Sequence, residues 1–270
     1  MGKPISVALV GAGSMGGAML EGWLKAGVID PPASAIFDPK PPVRMRSLAK
    51  SAGVSLNPDR PRRFDVLILA VKPQIVADAL PAHENIAGGA IVISVMAGVT
   101  IKTIAGLLGG PAKIARAMPN LPAAIAKGVT GVFANEGLTS ADRNSVDALL
   151  AAVGETLWVG SEADIDLVTA VSGSGPAYFF QFAECLAEAA RANGLPADAA
   201  MRLARATLIG AGAYAESDDR ALSDIRKAVT SPGGTTEAGL AALGAGNGDL
   251  GALVRRAVDA ARKRADDLSS

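Results

Sequence analysis

Residues 7–16 read VALVGAGSMG, in which a short apolar run leads directly into three glycines with the spacing GxGxxG; a helical pattern follows. A glycine turn between the first strand and the first helix is the context that the dinucleotide-binding fingerprint requires. In that fingerprint Gly11 permits the tight turn, Gly13 lets a pyrophosphate approach the backbone, and Gly16 lets the helix pack on the sheet. The stretch therefore predicts a Rossmann-type domain that binds a dinucleotide. The alternative is a turn that merely connects strand and helix.

The alternation of short apolar strands and amphipathic helices continues through the first 160 residues, which indicates βαβ units and a parallel sheet. The run VLILAV at 66–71 is apolar throughout, as expected when helices cover both faces of a sheet. Strands are predicted near 5–10, 34–38, 66–71, 90–95, 113–117, 129–134 and 156–160. Helices are predicted near 15–26, 43–52, 73–81, 100–108 and 140–153.

Beyond residue 160 the pattern changes to helices alone, with abundant alanine and no further strand pattern. Breaks at 172–176, 194–196, 216–220, 231–234 and 244–248 predict about five helices. Alanine-rich faces form a thin core in one copy, so a dimer is favoured over a monomer. The expected fold class is α/β: an N-terminal Rossmann-type, mostly parallel sheet in residues 1–160 and a C-terminal all-α substrate-binding and dimerisation domain in residues 161–270.

The composition excludes several classes of function. The 26 Lys and Arg residues balance the 26 Asp and Glu residues, so nothing marks a surface for nucleic acid or an anionic membrane. The longest apolar runs are shorter than the ~20 residues of a membrane-spanning helix. Because Met1-Gly2-Lys3 leads straight into a strand-like run, we expect no targeting segment. The single Cys185 agrees with a reducing compartment, so we expect a cytoplasmic protein that acts on small molecules.

The single histidine, His83, lies in a polar stretch at 81–85 that predicts a solvated loop. Ser/His/Asp and Cys/His machinery and multi-histidine zinc sites would all have to depend on that one residue. We therefore expect a reaction that needs neither a catalytic histidine nor a metal.

The end of the second strand leaves the choice of dinucleotide open. Asp38 stands where an acid normally takes the ribose diol of NAD and repels a 2′-phosphate. Lys40, Arg44 and Arg46 follow closely and could accommodate that phosphate. They could equally form the solvated face of a helix.

A second glycine turn, VTSPGGTTE at 229–237, precedes a helical pattern. Free backbone N–H groups and the hydroxyls of Ser231, Thr235 and Thr236 would make it an anion site, which favours substrate binding. The alternative is a Ser/Thr helix cap, although three hydroxyls around two glycines exceed what a cap needs.

Two other stretches are open between structural and functional roles. Lys72 precedes Pro73 at the end of the strand 66–71 and is either a catalytic ammonium or a residue whose backbone positions the cofactor. SGSGPAY at 172–178 either permits close helix packing, with Pro176 in a first helical turn, or lines the site.

Taken together, these motifs resemble the pyrroline-5-carboxylate reductase family over nearly the whole chain. The stretches that carry the resemblance are GAGSMG at 11–16, LAVKPQ at 69–74, RAMPN at 116–120, SGSGPAY at 172–178 and VTSPGGTT at 229–236. The resemblance implies hydride transfer from NADPH, with NADH as the alternative, to a small cyclic imine carboxylate, which gives L-proline. It also implies a homodimer, with a decamer of dimers as a larger assembly.

The resemblance assigns roles residue by residue. Thr236 matches a catalytic hydroxyl placed beside the imine nitrogen. The substrate-binding residues expected on this basis are Glu162, Ser231, Gly233, Gly234, Thr235 and Thr236. The cofactor-binding residues expected, with Asp38 included, are Gly11, Ala12, Gly13, Ser14, Met15, Gly16, Asp38, Asn57, Ala70, Val71, Lys72, Pro73 and Ala97.

Three departures from the family pattern touch the site. Leu121 stands where threonine is usual, the segment 224–227 lacks the usual acid after its basic residue, and Asp38 stands where NADPH-preferring members often have a neutral or basic residue. The family's chemistry nevertheless fits the scarcity of histidine, because an iminium accepts hydride without activation and needs mainly orientation.

Two other functions compete with this hypothesis. A general imine reductase or a 3-hydroxyacid dehydrogenase could share the two-domain plan, with Lys227 as the base of the hydroxyacid enzyme, but the SPGG turn would then be unexplained. A non-catalytic dinucleotide sensor would bind the cofactor without oxidising it.

Overall fold

The computed structural model describes residues 3–59, 62–110, 112–244 and 249–269. The chain forms two compact units, the first comprising Met1–Ser174 together with Ala261–Ser270 and the second comprising Gly175–Ala260. This division falls later than the boundary predicted after residue 160, because α7 (Asp164–Val168) packs on strands of the first unit. The functional assignment of 1–160 and 161–270 stays a prediction.

The first unit is built on an eight-stranded sheet with the order β3-β2-β1-β4-β5-β6-β7-β8. All neighbours pair in parallel except β6 and β7, which are antiparallel. The order of the first six strands is that of a Rossmann fold, so the predicted fold class is confirmed. The strands are β1 Val7–Val10, β2 Ala35–Phe37, β3 Ser55–Leu56, β4 Val66–Leu69, β5 Ile91–Ser94, β6 Lys113–Met118, β7 Gly128–Ala134 and β8 Gly154–Trp158.

Two apolar clusters cover the two faces of this sheet. On one face the buried Trp23 of α1 donates its indole N–H to the carbonyl oxygen of Leu149 in α6 at 2.8 Å, which ties two covering helices together. The helices of the first unit are α1 Ser14–Ala26, α2 Val43–Ala52, α3 Val76–Ala79, α4 Glu84–Ala87, α5 Ile101–Leu107, α6 Ser140–Ala151 and α7 Asp164–Val168. Short 3₁₀ turns lie at Pro73–Ile75, Pro81–His83 and Leu121–Ile125, and a π turn lies at Thr169–Gly173.

The prediction of one helix over 73–81 is wrong. The segment is a 3₁₀ turn, the single turn α3 and a second 3₁₀ turn. Pro81 has no N–H to donate and so ends the ladder of α3, and the chain already leaves the helical conformation at Ile75, where φ is −110° and ψ is 7°. The prediction of a solvated loop at 81–85 is wrong in part: the other four residues are exposed, but the stretch is a 3₁₀ turn followed by the start of α4, and His83 is half-buried. The His83 ring packs edge-to-face on Phe37, with ring centroids 5.2 Å apart, and burial lowers the pKa of its imidazole.

The second unit is helical, as predicted. Its helices are α8 Gly175–Ala192, α9 Ala197–Ser217, α10 Leu222–Ala228 and α11 Thr235–Ala242, together with the part of α12 Asp249–Ser269 that precedes Ala261. The predicted breaks at 194–196, 216–220 and 231–234 match interhelical loops, whereas most of 244–248 lies outside the described residues. The predicted break at 172–176 is wrong in part: a π turn occupies its first residues, and Pro176 lies in the first turn of α8.

Small residues form the core of the second unit. Ala187, Ala200 and Ala204 are buried where α8 and α9 pack together. The aromatic side chains of α8 are left largely on the surface of the single chain; Phe179 is 64% exposed and Phe180 is 49% exposed. The core of one copy is therefore thin. Within the described ranges, every helix is too short or too polar to cross a membrane.

Candidate active site

The predicted cofactor residues of the first unit follow strands that end at one edge of the sheet. In the parallel register, the last residue of β1, Val10, aligns with Phe37 of β2 and Leu69 of β4, and Leu69 aligns with Ser94 of β5. The segments after these strands therefore share the carboxyl edge, where open α/β sheets bind ligands. They include the glycine turn, Asp38, the stretch from Ala70 and the loop that carries Ala97.

The three glycines of the first turn are there for different reasons. Gly11 has φ +90°, and a Cβ on it would lie 2.7 Å from the carbonyl oxygen of Ala70, so the fold itself requires glycine. A Cβ on Gly16 would collide with the carbonyl oxygen of Gly11. Gly13 differs, because no atom of the described chain lies within 4 Å of where its Cβ would be. Chain packing thus explains two glycines and leaves open space beside the third.

The same turn leaves the start of α1 free for a ligand. Gly13 occupies the N-cap position, no side chain caps the helix, and its first turn, which includes Ser14 and Met15, carries no acidic residue. The first N–H groups of a helix have no intrahelical partner and favour an anion. An uncapped helix start beside an open glycine fits a pyrophosphate, so the residues present fit a dinucleotide.

Asp38 and Asn57 hold the turn to the ends of β2 and β3. One carboxylate oxygen of Asp38 accepts the N–H of Ala12 at 2.9 Å, and the other accepts the N–H of Lys40 at 2.8 Å. The Asn57 amide bridges the backbone of Asp38, accepting its N–H at 2.9 Å and donating to its carbonyl at 2.8 Å. Asp38 therefore orders the glycine turn, in addition to any contact with a ribose.

The basic residues near Asp38 lie on the surface. Lys40 and Arg46 are exposed, and Arg44 pairs with Glu21 of α1. Positive charge that could accept a 2′-phosphate thus lies close to the end of β2. The geometry is compatible with both NADPH and NADH.

The stretch after β4 lies against the glycine turn. Ala70 donates its N–H to the carbonyl of Val10 at 2.8 Å. Val71 and Pro73 are half-buried, whereas Lys72 is exposed. The carbonyl of Lys72 accepts the N–H of Ile75 at 3.1 Å, and among the described residues its ammonium has no hydrogen-bond partner. Its backbone therefore shapes the turn while its ammonium stays available.

Glu162 joins this edge from the segment before α7. Its Oε1 accepts the N–H of Ile101, the first residue of α5, at 2.7 Å. The loop before α5 carries Ala97, which is half-buried, and Gly98, which has φ +70°. The structure thus places Glu162 beside the loop that contains a predicted cofactor contact.

Two polar residues of the RAMPN stretch were missed as functional candidates. Arg116 is 2% exposed and donates through Nη1 to Glu162 Oε1 at 3.0 Å. Asn120 is buried, donates to the carbonyl of Ser172 at 3.1 Å and accepts the N–H of Val129 at 3.0 Å. The signal was present in the sequence, since an arginine in the middle of an apolar strand requires a buried partner.

The second glycine turn, in the second unit, forms a separate cluster. Gly234 occupies the N-cap of α11 without a side-chain cap. Gly233 has φ +71° and donates its N–H to Glu237 at 2.7 Å. Within the described chain the hydroxyls of Ser231, Thr235 and Thr236 make no hydrogen bond, so they do not cap the helix.

The remaining departures from the family pattern lie on the surface. Leu121 is 63% exposed at the start of its 3₁₀ turn. Lys227 pairs with Asp224 at 3.0 Å, and both side chains are exposed. Within the described ranges, no group of three metal-ligating side chains comes together.

Comparison with known proteins gives matches over the whole chain. Residues 162–268 match the family model for pyrroline-5-carboxylate reductase dimerisation, and residues 6–98 match that for NADP oxidoreductase, coenzyme F420-dependent. A pyrroline-5-carboxylate reductase of Pseudomonas aeruginosa is 37% identical over 97% of this chain and 96% of its own length.

Two solved structures show the same architecture. A pyrroline-5-carboxylate reductase from Coxiella burnetii has a TM-score of 0.89 at 34% identity and covers 99% of this chain and 100% of its own. A Plasmodium falciparum pyrroline carboxylate reductase with NADP bound has a TM-score of 0.79 at 26% identity, with 98% of both chains covered.

Proposed function

Because the chain belongs to the pyrroline-5-carboxylate reductase family, we propose that it reduces the ring imine of pyrroline-5-carboxylate to L-proline, the last step of proline biosynthesis. It is an NAD(P)H-dependent oxidoreductase that acts on a C=N bond. The observation that carries this conclusion is 37% identity to a reductase of that name over 97% of the chain. The open space at Gly13, beside an uncapped helix start, is what a dinucleotide would fill.

The cofactor, NAD(P)H, supplies the hydride when bound, and the first unit supplies its site. We assign the pyrophosphate to the backbone of the glycine turn and the first turn of α1, where N–H groups and the helix dipole favour an anion. Asn57 and Asp38 hold that turn in place. The segment from Ala70 to Pro73 and Ala97 would line the remainder of the cofactor, and we propose NADPH as the preferred form.

The second glycine turn would bind the substrate. The N–H groups of Gly233 and Gly234 are already bonded to Glu237 and Ser231, so the N–H groups of the first turn of α11 and the hydroxyls of Ser231, Thr235 and Thr236, which have no partner among the described residues, are what could receive a carboxylate and a ring nitrogen. Thr236 would place its hydroxyl beside that nitrogen, and Glu162 is a further substrate contact that the family resemblance implies. Because an iminium accepts hydride without activation, these residues need only to bind and orient the ring and to supply a proton to nitrogen.

The chain forms a homo-oligomer, in keeping with its match to a dimerisation domain. We propose a homodimer that buries the exposed aromatic side chains of α8, with a decamer of dimers as the larger assembly. We assign dinucleotide binding to residues 1–160 and substrate binding with dimerisation to residues 161–270. We propose the cytoplasm as its location, and neither nucleic acid nor a membrane as a partner.

A spectrophotometric assay tests the proposed function. NADPH and NADH oxidation would be followed with pyrroline-5-carboxylate, other cyclic imines and 3-hydroxy acids as alternative substrates. We expect rapid oxidation with pyrroline-5-carboxylate, faster with NADPH than with NADH. Preference for another imine would indicate a general imine reductase, and turnover of a hydroxy acid would indicate a 3-hydroxyacid dehydrogenase. Cofactor binding without turnover of any substrate would indicate a non-catalytic dinucleotide sensor.

A further inference from the structure

Two basic side chains of β6 lie in opposite environments. Lys113, at the start of the strand, is 46% exposed and pairs with Asp142 at 2.8 Å. Arg116, three residues further towards the carboxyl edge, is 2% exposed. Burial of a charge is unfavourable unless the charge is paired and hydrogen-bonded. The environment of Arg116 therefore requires an explanation that Lys113 does not.

The pairing of Arg116 is incomplete. Its Nη1 donates to Glu162 Oε1 at 3.0 Å, whereas Nη2 lies 3.8 Å from Asp166 Oδ1, beyond hydrogen-bond distance. Nε and Nη2 are buried and have no hydrogen-bond partner among the described residues. An apolar side chain would fill such a position without this penalty. The arrangement is thus poorly suited to stability and better suited to holding one geometry.

Arg116 holds the carboxylate of Glu162 in one position. A single carboxylate oxygen, Oε1, receives both Arg116 Nη1 and the N–H of Ile101 at 2.7 Å. Ile101 begins α5 directly after the loop with Ala97, so the ion pair connects β6 to that loop. The other oxygen, Oε2, has no partner in the described chain, and the side chain is 30% exposed. Oε2 is therefore left to accept a hydrogen bond from a ligand.

We propose that Arg116 is a positioning residue of the reductase: through Glu162 it fixes the loop that carries Ala97 and presents Glu162 Oε2 to the imine substrate. This inference rests on the proposed function for its role in turnover. The ordering of the loop that carries Ala97 does not depend on the proposed function, and it is measured separately.

The test compares Arg116→Met, Glu162→Gln and the double variant in the full-length protein, with Lys113→Met as the matched control on the same strand. We expect each single variant in the pair to lower kcat/KM for the imine by about 100-fold, the size of a small misplacement of reacting groups. The loss would appear mainly in kcat and in the KM of the imine. A smaller increase in the NADPH dissociation constant is expected as well, because the loop that carries Ala97 is expected to line the cofactor. Lys113→Met would retain wild-type kinetics.

The double variant separates positioning from independent effects. If Arg116 acts through Glu162, the double variant loses about 100-fold in total, whereas independent roles would multiply to about 10⁴-fold and overturn the proposal. Unchanged kinetics of Glu162→Gln, which keeps an acceptor for the Ile101 N–H, would overturn it as well. Arg116→Lys, which retains a cation, should recover part of the lost activity, and it stands in if the methionine variant fails to fold.

Hydrogen exchange of the amides in 95–103, measured without substrate, is the readout that is independent of activity. We expect faster exchange there in Arg116→Met and Arg116→Lys than in Lys113→Met. If the wild type does not reduce the imine, the proposed function fails and the role in turnover with it, while the exchange result still decides whether Arg116 orders the loop. Equal exchange in all variants would overturn that part too.

Discussion

The two glycine turns at 11–16 and 231–236 look alike in sequence but differ in what surrounds them. In the first, Cβ atoms on Gly11 and Gly16 would strike neighbouring backbone, and Asp38 fixes the turn from outside. In the second, a Cβ on Gly234 would strike Ser231, no atom of the described chain lies within 4 Å of a Cβ on Gly233, and three hydroxyls have no partner among the described residues. Both turns are shaped in part by contacts within the chain; the first leaves open space beside Gly13 and free backbone N–H groups for a ligand, whereas the second leaves side-chain hydroxyls as well.

A third helix start shows what an ordinary cap looks like. Thr139 at the N-cap of α6 accepts the N–H of Asp142, and the carboxylate of Asp142 accepts the N–H of Thr139 in return. Neither α1 nor α11 has a side-chain cap. Helix starts that a protein leaves uncapped are available for ligands, and substitutions at the three starts should therefore have different consequences.

The largest effect is expected from Gly11→Ala. The change places a side chain at φ +90° and brings its Cβ to 2.7 Å from the carbonyl oxygen of Ala70. We expect the free energy of unfolding to fall by roughly 2–5 kcal/mol and NADPH binding to be lost. Urea unfolding and fluorescence titration would measure the two effects, and a stable variant that binds NADPH normally would contradict the geometry of this turn.

Thr236→Ala should act on turnover alone. The hydroxyl has no partner in the described chain, so stability should change little. If the hydroxyl bonds to the substrate, its loss should raise the activation free energy by about 1.5–3 kcal/mol, which lowers kcat/KM by roughly 10- to 150-fold. Steady-state kinetics with thermal melts would check this, with Thr230→Ala as the control, because Thr230 already donates to the carbonyl of Arg226. Wild-type turnover by Thr236→Ala would remove it from the site.

Gly13→Ala separates a glycine needed by a ligand from one needed by the fold. No atom of the described residues lies within 4 Å of the added Cβ, and the backbone there has φ −69°. We expect unchanged or slightly higher stability, by up to about 1 kcal/mol, together with about tenfold weaker NADPH binding. Calorimetric titration beside urea unfolding would measure both. If the variant is stable and binds NADPH as tightly as the wild type, glycine at this position is required neither by the cofactor nor by the fold.

The smallest effect is expected from Thr139→Ala, which removes an ordinary cap. The free energy of unfolding should fall by about 1 kcal/mol, with no change in turnover.

The same cap makes stability depend on pH. Burial raises the pKa of Asp142, but hydrogen bonds from Lys113 and Thr139 outweigh it and hold that pKa below its usual 3.8. The stability linked to Asp142 is therefore full above that value and is lost as the pH falls through the lowered pKa. Urea unfolding between about pH 7 and pH 3 should show a shallower acid loss in the variant; a steeper loss would contradict this account.

Local patterns in the sequence were enough to predict the sheet and the glycine turn. Apolar runs such as 66–71 and the spacing of Gly11, Gly13 and Gly16 are short-range signals, and the structure places them as expected. The strand β3, at Ser55–Leu56, was missed because two residues are too few to show a period. Pro81 predicts that the helical ladder ends before residue 81, but it does not predict the break at Ile75.

The contacts of single polar side chains could not be predicted in the same way. The ion pair of Arg116 and Glu162 joins residues 46 positions apart, and the clamp on Asp38 involves Ala12 and Asn57 from two other segments. His83 was misassigned because its contact, Phe37, lies on a distant strand. Periodicity reports which face of an element is apolar, and it carries no information about such partners.

The central claim, that the two glycine turns serve one reduction, is tested most directly by a single-turnover experiment. The purified wild-type protein would be loaded with NADPH and mixed with excess pyrroline-5-carboxylate, and both the oxidised cofactor and proline would be quantified. The account predicts equal amounts of the two products, formed as rapidly as in steady-state turnover or faster. Bound NADPH that persists in the presence of the imine, or that is oxidised without proline appearing, would contradict it.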